Sequence, residues 1–194
     1  MKTANNEPLS IPQMFILVNH AKEPIKSLIA FLYITASRIS EVVRVFKPED
    51  IIQLDYKEGL AVLRLKVLKN PNQKYRFLYL PLNDPFLETA LNYIATKQPG
   101  SPVWSFSRQY AYSEIRKLGW FIGRKDLHPH LFRHSRLTHL ALYQGFSESM
   151  LQAYVGWANT EQAKRYVNVH ARQLLPHLKG MLNVYKQIIN MAVQ

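Results

Sequence analysis

The 194-residue sequence contains no cysteine, which excludes disulfide bonds, thiolate nucleophiles and cysteine-ligated zinc. It is also poor in acidic residues, with 13 Asp and Glu against 25 Lys and Arg and a net charge of +12. Such a surplus points to a polyanionic partner: DNA, RNA or an anionic membrane. No run approaches the ~18 consecutive apolar residues of a membrane span, and no signal peptide precedes the domain. We therefore expect an intracellular protein, cytoplasmic or nucleoid-associated, with no membrane partner.

The seven histidines do not replace the missing cysteines as metal ligands. Most of them cluster between positions 128 and 139, but no accompanying acidic residues complete a metal site. We therefore expect neither a metal ion nor another cofactor. Hydrophobic residues make up 47% of the chain and charged residues 20%, which excludes a disordered or coiled-coil protein and fits one globular domain.

Periodicity and turn signals predict a mainly helical domain with a small three-stranded antiparallel β-sheet, an α+β fold. Ser10 and Pro12 suit the start of a helix, and Asn83-Asp84-Pro85 caps a later one. Between them, β-branched and aromatic runs separated by turn residues predict strands at 51–56, 59–69 and 74–82. Helical spacing is found at 12–21, 24–34, 85–98, 107–121, 130–144, 147–155, 160–167 and 172–192.

Arg38 is the first candidate site residue. Thr35-Ala36-Ser37 interrupts a helical pattern that Ile39 resumes, so Arg38 falls at a helix start. Glu41 follows three residues later and can reach back across one turn to hold the guanidinium. On these two residues alone, a solvated surface ion pair is the commoner interpretation.

His130 and Arg133 lie one turn apart on a later helix, with Leu131 and Phe132 turned inward between them. A guanidinium matches phosphate oxygens with two hydrogen bonds. The imidazole can accept a nucleophile's proton or donate a hydrogen bond to the phosphate. A basic protein also carries such side chains as solvated or structural residues, so both interpretations stay open here.

Attack on a phosphodiester further requires a nucleophile and an acid for the leaving alkoxide. Tyr166 is the candidate nucleophile, although it is one of 11 tyrosines. Trp157 offers an indole N–H donor, although a tryptophan is more often simply packed. Lys69, on the predicted hairpin, is the candidate acid, with Lys66 and Lys74 as rivals. A hairpin lysine in so basic a protein more often only contacts phosphate.

Three segments together resemble the sequence boxes of the tyrosine recombinase, or phage integrase, family: TASRISEV, HPHLFRHS and YVGWANTEQAKRYVNV. The family's usual forms are T-G-x-R-x-S-E, H-x-L-R-H and a box whose tyrosine falls nine residues after a His or Trp. Tyr166 lies nine residues after Trp157. Order, spacing and the intervening hairpin agree over roughly residues 11–170. The resemblance implies the tyrosine recombinase catalytic-domain fold.

The resemblance also implies a role for each matching residue. Arg38 and Arg133 would form the phosphate-binding pair, Lys69 would be the general acid, and His130 is the second-box histidine. Tyr166 would attack the scissile phosphate, giving a 3′-phosphotyrosyl link and a free 5′-hydroxyl. Because the covalent link conserves the phosphodiester energy, no metal or nucleotide is required.

Three further positions bear on the resemblance. Glu41 matches the family's acidic supporting residue. Trp157 stands where histidine is usual, as in a minority of members, so it can donate a hydrogen bond but cannot exchange a proton. Ala36 replaces the usual glycine. His130 would then be the only histidine acid or base of the set.

The resemblance divides the chain into a polar tail or linker remnant at 1–10, a catalytic domain at 11–170 and a C-terminal helical tail at 171–194. The family's amino-terminal DNA-clamping domain has no counterpart in the first ten residues. In family members the C-terminal helix often docks on a neighbouring protomer. Packing of this tail on its own domain is an equal alternative.

The implied function is site-specific DNA recombination, or integration of a mobile element, by strand breakage and rejoining. The implied partners are double-stranded DNA and further copies of the chain, as a dimer or tetramer. Two alternatives stay open. One is a type IB topoisomerase-like relaxase, which shares the arginines, histidine and tyrosine but acts without site choice. The other is a catalytically inactive DNA-binding protein of the same fold.

Overall fold

A computed structural model describes residues 7–68, 70 and 73–167 of the chain. A single-turn 3-10 helix at Pro48–Asp50 precedes the sheet. The α-helices and strands are α1 (Ile11–His20), α2 (Ile25–Thr35), α3 (Ile39–Val42), β1 (Ile51–Asp55), β2 (Leu60–Lys66), β3 (Tyr75–Pro81), α4 (Pro85–Ile94), α5 (Arg108–Phe121), α6 (Pro129–Gln144), α7 (Glu148–Val155) and α8 (Glu161–Val167). This order confirms the predicted α+β class. The predicted helical tail at 172–192 lies outside the described residues.

The helix starts follow the capping signals in the sequence. Ser10 accepts a hydrogen bond from the Gln13 amide while the Gln13 side chain reaches back to the Ser10 amide, which fixes the start of α1. Ser107 and Asp84 cap α5 and α4 without this reciprocal bond, because only their side-chain oxygens accept from backbone amides. The end of α4 was predicted about four residues too late, because its last residues close turn-type hydrogen bonds instead of continuing the helix.

The three strands form one antiparallel sheet in the order β1-β2-β3, as predicted. Burial alternates along β3: the even-numbered residues 76, 78 and 80 are buried, and their odd-numbered neighbours are exposed. The sheet therefore packs on the helices with one face only. The paired part of β2 and β3 is shorter than predicted and ends at Lys66 and Tyr75, beyond which the Val67 amide donates to the carbonyl of Lys74.

The main hydrophobic core is built around α2. Every residue of this helix except Lys26 is buried, and α1, α4, α5, α6 and the inner face of the sheet surround it. Leu9 also belongs to this core: its side chain is fully buried and its amide donates to Ser135 Oγ at 2.8 Å. The stretch predicted as a tail thus contributes at least one core residue.

A second, smaller apolar cluster lies where α6, α7 and α8 meet the end of α2. We call it the satellite cluster, and its buried members are Ala36, Leu137, Leu140, Leu151, Val155, Trp157, Ala163 and Tyr166. Two of the predicted site residues are therefore packed side chains of this cluster. None of the helices in the described ranges is long and apolar enough to cross a membrane.

Candidate active site

Arg38 is presented by a sharp turn between α2 and α3. Ala36 adopts the left-handed conformation with φ 48°, where glycine is preferred because a Cβ is strained there. The chain then extends through Arg38, whose Nη1 donates to Glu41 Oε1 and whose backbone amide donates to Glu41 Oε2, both at 2.8 Å. Glu41 is only 3% exposed. The predicted pair is confirmed, and it is an enclosed contact rather than a solvated one.

Arg133 enters the site from α6 and is almost fully buried, at 1% exposure. Its Nη1 donates to the carbonyl of Ala36 at 2.6 Å, and its Cζ lies 5.4 Å from the centre of the Trp157 ring. Within the described part of the chain, its Nη2 has no hydrogen-bond partner. Burial, and then the positive charges of Arg38 and Arg76, lower the pKa of Arg133 to about 9. A buried cation with an unused donor favours an anion beside it.

Tyr166 is held in the site by aromatic packing. Its ring lies almost parallel to the Trp157 ring, with centroids 6.0 Å apart and an interplanar angle of 15°. On another side the His134 ring lies at 5.4 Å. The residue is 7% exposed, so α8 delivers the phenol into the protein rather than into solvent.

The phenol of Tyr166 is surrounded by positive charge. Burial raises its pKa above the usual value, whereas Arg133, Arg165 and Arg38 lower it, in that order. The phenol is therefore protonated at neutral pH and must lose its proton when it attacks. The same arginines that oppose the effect of burial would stabilise a phenolate as it develops.

His130 lies on the exposed rim of the site, in the first turn of α6. The protein around its ring, followed by the charges of Arg133, His128 and Arg38, lowers the pKa of His130 to about 4. The ring is thus neutral at neutral pH, and either accepts a proton or donates one N–H. A pocket of about 160 Å³ in front of it is lined by His128, His130, Leu131, His134, Arg165 and Tyr166.

Trp157 follows the turn that ends α7. Gly156 takes a left-handed conformation there with φ 70°, and a Cβ on it would approach Val67 and Arg76 of the hairpin to 3.1 and 3.3 Å. Glycine is required both for the conformation and for this close approach. The Trp157 indole Nε1 is buried and has no hydrogen-bond partner among the residues described.

Lys69, the predicted acid, lies outside the described residues, so its role stays a prediction. Lys66 is exposed at the end of β2 and lines a cleft together with Glu41 and Arg44. Lys74 is exposed on the opposite arm of the hairpin, and its carbonyl accepts a bond from the Val67 amide at 2.9 Å.

Two residues of the site were missed in the sequence. His134, the last residue of the HPHLFRH segment, lies against Tyr166. Arg76 is 2% exposed on the inner face of β3 and donates to Thr35 and Ser37, beside Arg38. The sequence pattern that could have identified Arg76 is the alternation along β3, which places residue 76 on the same face of the strand as the buried residues 78 and 80. No three histidine or carboxylate residues in the described ranges are grouped so as to hold a metal ion.

Comparison with known proteins identifies the family of the chain. Residues 7–173 match the sequence model of the phage integrase family. The chain belongs to this family.

Among its relatives in the phage integrase family, tyrosine recombinase XerC of Staphylococcus epidermidis is 29% identical over 161 residues, covering 77% of this chain and 50% of that protein. XerC of Staphylococcus carnosus is 30% identical over 159 residues, covering 76% and 50%. The chain thus spans about half the length of these relatives.

Solved structures show the fold. The XerH site-specific recombinase in a post-cleavage complex with palindromic difH substrate superposes with a TM-score of 0.68 at 17% identity, covering 89% of this chain and 52% of that one. The catalytic domain of bacteriophage HP1 integrase gives a TM-score of 0.56 at 15% identity, covering 89% and 93%. The predicted tyrosine recombinase catalytic-domain fold is confirmed.

Proposed function

We propose that this chain is the catalytic part of a site-specific DNA recombinase that cuts and rejoins double-stranded DNA through a 3′-phosphotyrosyl intermediate. One observation carries the proposal. Arg133, buried and with Nη2 unpartnered in the described part of the chain, faces the same small site as Arg38 and the buried phenol of Tyr166. A scissile phosphate placed there satisfies the unused donor and neutralises two adjacent cations.

The chemistry assigned to the site is a transfer of the phosphoryl group between two oxygens. Tyr166 Oη attacks phosphorus while Arg38 and Arg133 bind the non-bridging oxygens. The new bond joins phosphorus to Oη, and the bond from phosphorus to the 5′ oxygen breaks. Neutral His130, which lines the same pocket as Tyr166, is the proposed acceptor of the phenol proton. Lys69 is the proposed donor of the proton that makes the 5′-hydroxyl.

Rejoining is the same reaction in reverse, with a 5′-hydroxyl attacking the phosphotyrosine. If that hydroxyl belongs to a partner duplex, the strands are exchanged. The buried position of Tyr166 suits this role because its packing excludes bulk water from the phosphotyrosine, which would otherwise be hydrolysed. Trp157 Nε1, a buried donor without a partner in the described ranges, is a further group for a phosphate oxygen.

A covalent trapping experiment tests the proposal and identifies the target sequence at the same time. The probe is a pool of nicked duplexes with a randomised central segment, in which cleavage releases a short strand and prevents rejoining. We expect the wild-type chain to form an SDS-stable adduct with part of this pool. Sequencing of the trapped DNA then gives the target.

The matched variants are Tyr166→Phe and Tyr143→Phe, the second being an exposed tyrosine on α6. Tyr166→Phe is expected to form no adduct, because the nucleophilic oxygen is gone, whereas Tyr143→Phe keeps wild-type yield. Absence of adduct with wild-type protein, or equal adduct with Tyr166→Phe, contradicts the proposal. Relaxation of any supercoiled plasmid by the monomer instead favours a relaxase.

We further propose that the active assembly is a dimer or tetramer on DNA and that residues 171–194 connect its subunits. The apolar stripe in the sequence of this segment supports docking on another copy. Light scattering on DNA-bound protein decides the point: deletion of residues 172–194 is expected to abolish DNA-dependent multimers. Multimers that persist after the deletion exclude docking in trans.

A further inference from the structure

Arg76 is a buried arginine with no carboxylate ion pair within the described part of the chain. Its two terminal nitrogens donate to backbone and hydroxyl oxygens, whereas its buried Nε has no partner among the described residues. Nη2 donates to the carbonyl of Thr35 at 2.8 Å and to Ser37 Oγ at 3.0 Å, and Nη1 donates to the carbonyl of Tyr154. Burial lowers the pKa of Arg76 to about 10. Burying a charged residue in such surroundings lowers the free energy of unfolding, so we look for a structural role of these hydrogen bonds that offsets this cost.

The acceptors of Arg76 belong to the two segments that present site residues. Ser37 directly precedes Arg38 in the turn after α2. Tyr154 lies at the end of α7, three residues before Trp157. Tyr154 is also tied to the first segment, because its hydroxyl donates to the carbonyl of Ile34. One guanidinium therefore bridges the backbone on both sides of the site.

Arg76 itself is carried by the β2–β3 hairpin, which brings in a third part of the site. The Gly156 turn packs directly on this hairpin, against Val67 and the Arg76 side chain. Asn70 Nδ2 also donates to the carbonyl of Gly156 at 3.3 Å. The hairpin residues on both sides of Lys69 are thus close to the turn that presents Trp157.

We propose that Arg76 is a positioning residue that fixes the Arg38 turn, the Trp157 turn and the hairpin relative to one another. A planar guanidinium with a fixed fork of donors can hold two backbone segments at once, which a lysine cannot do in the same geometry. Arg76 acts through the residues it places, since its Nη1 and Nη2 groups already donate to oxygens of the protein. The role in cleavage rests on the proposed function.

The test compares Arg76→Gln and Arg76→Lys with Arg64→Gln. Arg64 is the matched control because it lies on the neighbouring strand and pairs with Asp50 on the outer face of the sheet. At saturating DNA, we expect the single-turnover cleavage rate of Arg76→Gln to fall by about a hundredfold, the scale of a displacement of about 1 Å in catalytic groups. The DNA dissociation constant should be unchanged. Arg76→Lys should restore part of the rate, and Arg64→Gln should cleave like wild type.

A second readout does not depend on recombination. Hydrogen–deuterium exchange of the DNA-free protein should become faster in peptides covering 34–38 and 153–158 in Arg76→Gln, and not in Arg64→Gln. If wild type forms no covalent adduct on any DNA, the proposed function fails, and the exchange data still decide the role of Arg76. Wild-type exchange in both peptides overturns the inference, as does a wild-type cleavage rate.

If Arg76→Gln does not fold, Ser37→Ala replaces it. This change removes one hydroxyl acceptor of Arg76 and leaves the arginine in place. We expect a smaller fall in cleavage rate with unchanged DNA affinity, and faster exchange confined to the Arg38 turn. Unchanged rate and exchange contradict the proposal.

Discussion

The buried tryptophan of the main core and that of the satellite cluster differ in their hydrogen bonding. In the main core, the fully buried Trp104 donates its indole N–H to Ser27 Oγ at 3.2 Å. In the satellite cluster, Trp157 is nearly as buried, but its indole N–H has no partner among the described residues. Arg133 Nη2, beside it, is in the same situation.

This difference separates packing for stability from packing for chemistry. A buried donor without a partner lowers the free energy of unfolding by about 1–3 kcal/mol. Two such donors, Trp157 Nε1 in the satellite cluster and Arg133 Nη2 next to it, lie near Tyr166. We interpret them as donors reserved for a phosphate, because that anion satisfies both at once. Variants that separate stability from cleavage test this interpretation.

Arg133→Gln should have the largest effect on the cleavage rate. We expect the single-turnover cleavage rate to fall by about 10²–10³-fold, as for removal of one donor to a developing oxyanion. The free energy of unfolding should hold or rise, because a buried and incompletely paired charge is removed. Adduct formation on the trapped target DNA and thermal unfolding measure the two quantities. A loss of stability as large as the loss of rate would make Arg133 a structural residue.

The tryptophan pair should give an intermediate effect. Trp157→Phe keeps an aromatic ring against Tyr166 but deletes the N–H. We therefore expect the cleavage rate to fall by about tenfold, which corresponds to the loss of one hydrogen bond of about 1.4 kcal/mol. The melting temperature should change little. Trp104→Phe should instead lower the free energy of unfolding by about 1–3 kcal/mol and leave cleavage of the folded protein intact. Similar losses of rate in both variants would remove the distinction between the clusters.

The smallest effect concerns two histidines with lowered pKa values. His139 bonds through Nδ1 to the Tyr33 hydroxyl at 2.7 Å, and burial lowers the pKa of His139 to about 4. The unfolded chain binds this proton near pH 6.5 and the folded chain does not, so stability falls as pH drops below that value. We expect a loss of about 1 kcal/mol between pH 6.5 and 5.5, absent in His139→Gln.

Thermal unfolding at the two pH values measures this difference, with His130→Gln as the comparison. His130 lies on the exposed rim, so its removal should change the pH dependence of stability less than the His139 change does. Bound DNA should raise the pKa of His130, since phosphate stabilises the charged ring, and leave His139 unaffected. Identical pH dependence in wild type and His139→Gln would reject the role of His139.

The sequence predicted local features well because their causes are local. The cap at Ser10, the break that puts Arg38 at a helix start and the Arg38–Glu41 pair each depend on residues within four positions. The sequence-based predictions were wrong where tertiary packing determines the position of a residue. Leu9 was assigned to a tail because the polar residues around it dominate the pattern, yet it fills the main core and its amide bonds to a residue on α6.

The sequence by itself determined the fold class and which side chains are available to the site, since motif order and spacing are properties of the chain. Only the tertiary structure decided how they meet. Arg133 bonds to Ala36 across 97 positions, and Arg76 bonds to Thr35 across 41. Local periodicity indicates which face a side chain takes but not its partner, because that contact forms only when whole elements pack. The burial of Tyr166, and with it the electrostatics of the candidate site, follows from that packing.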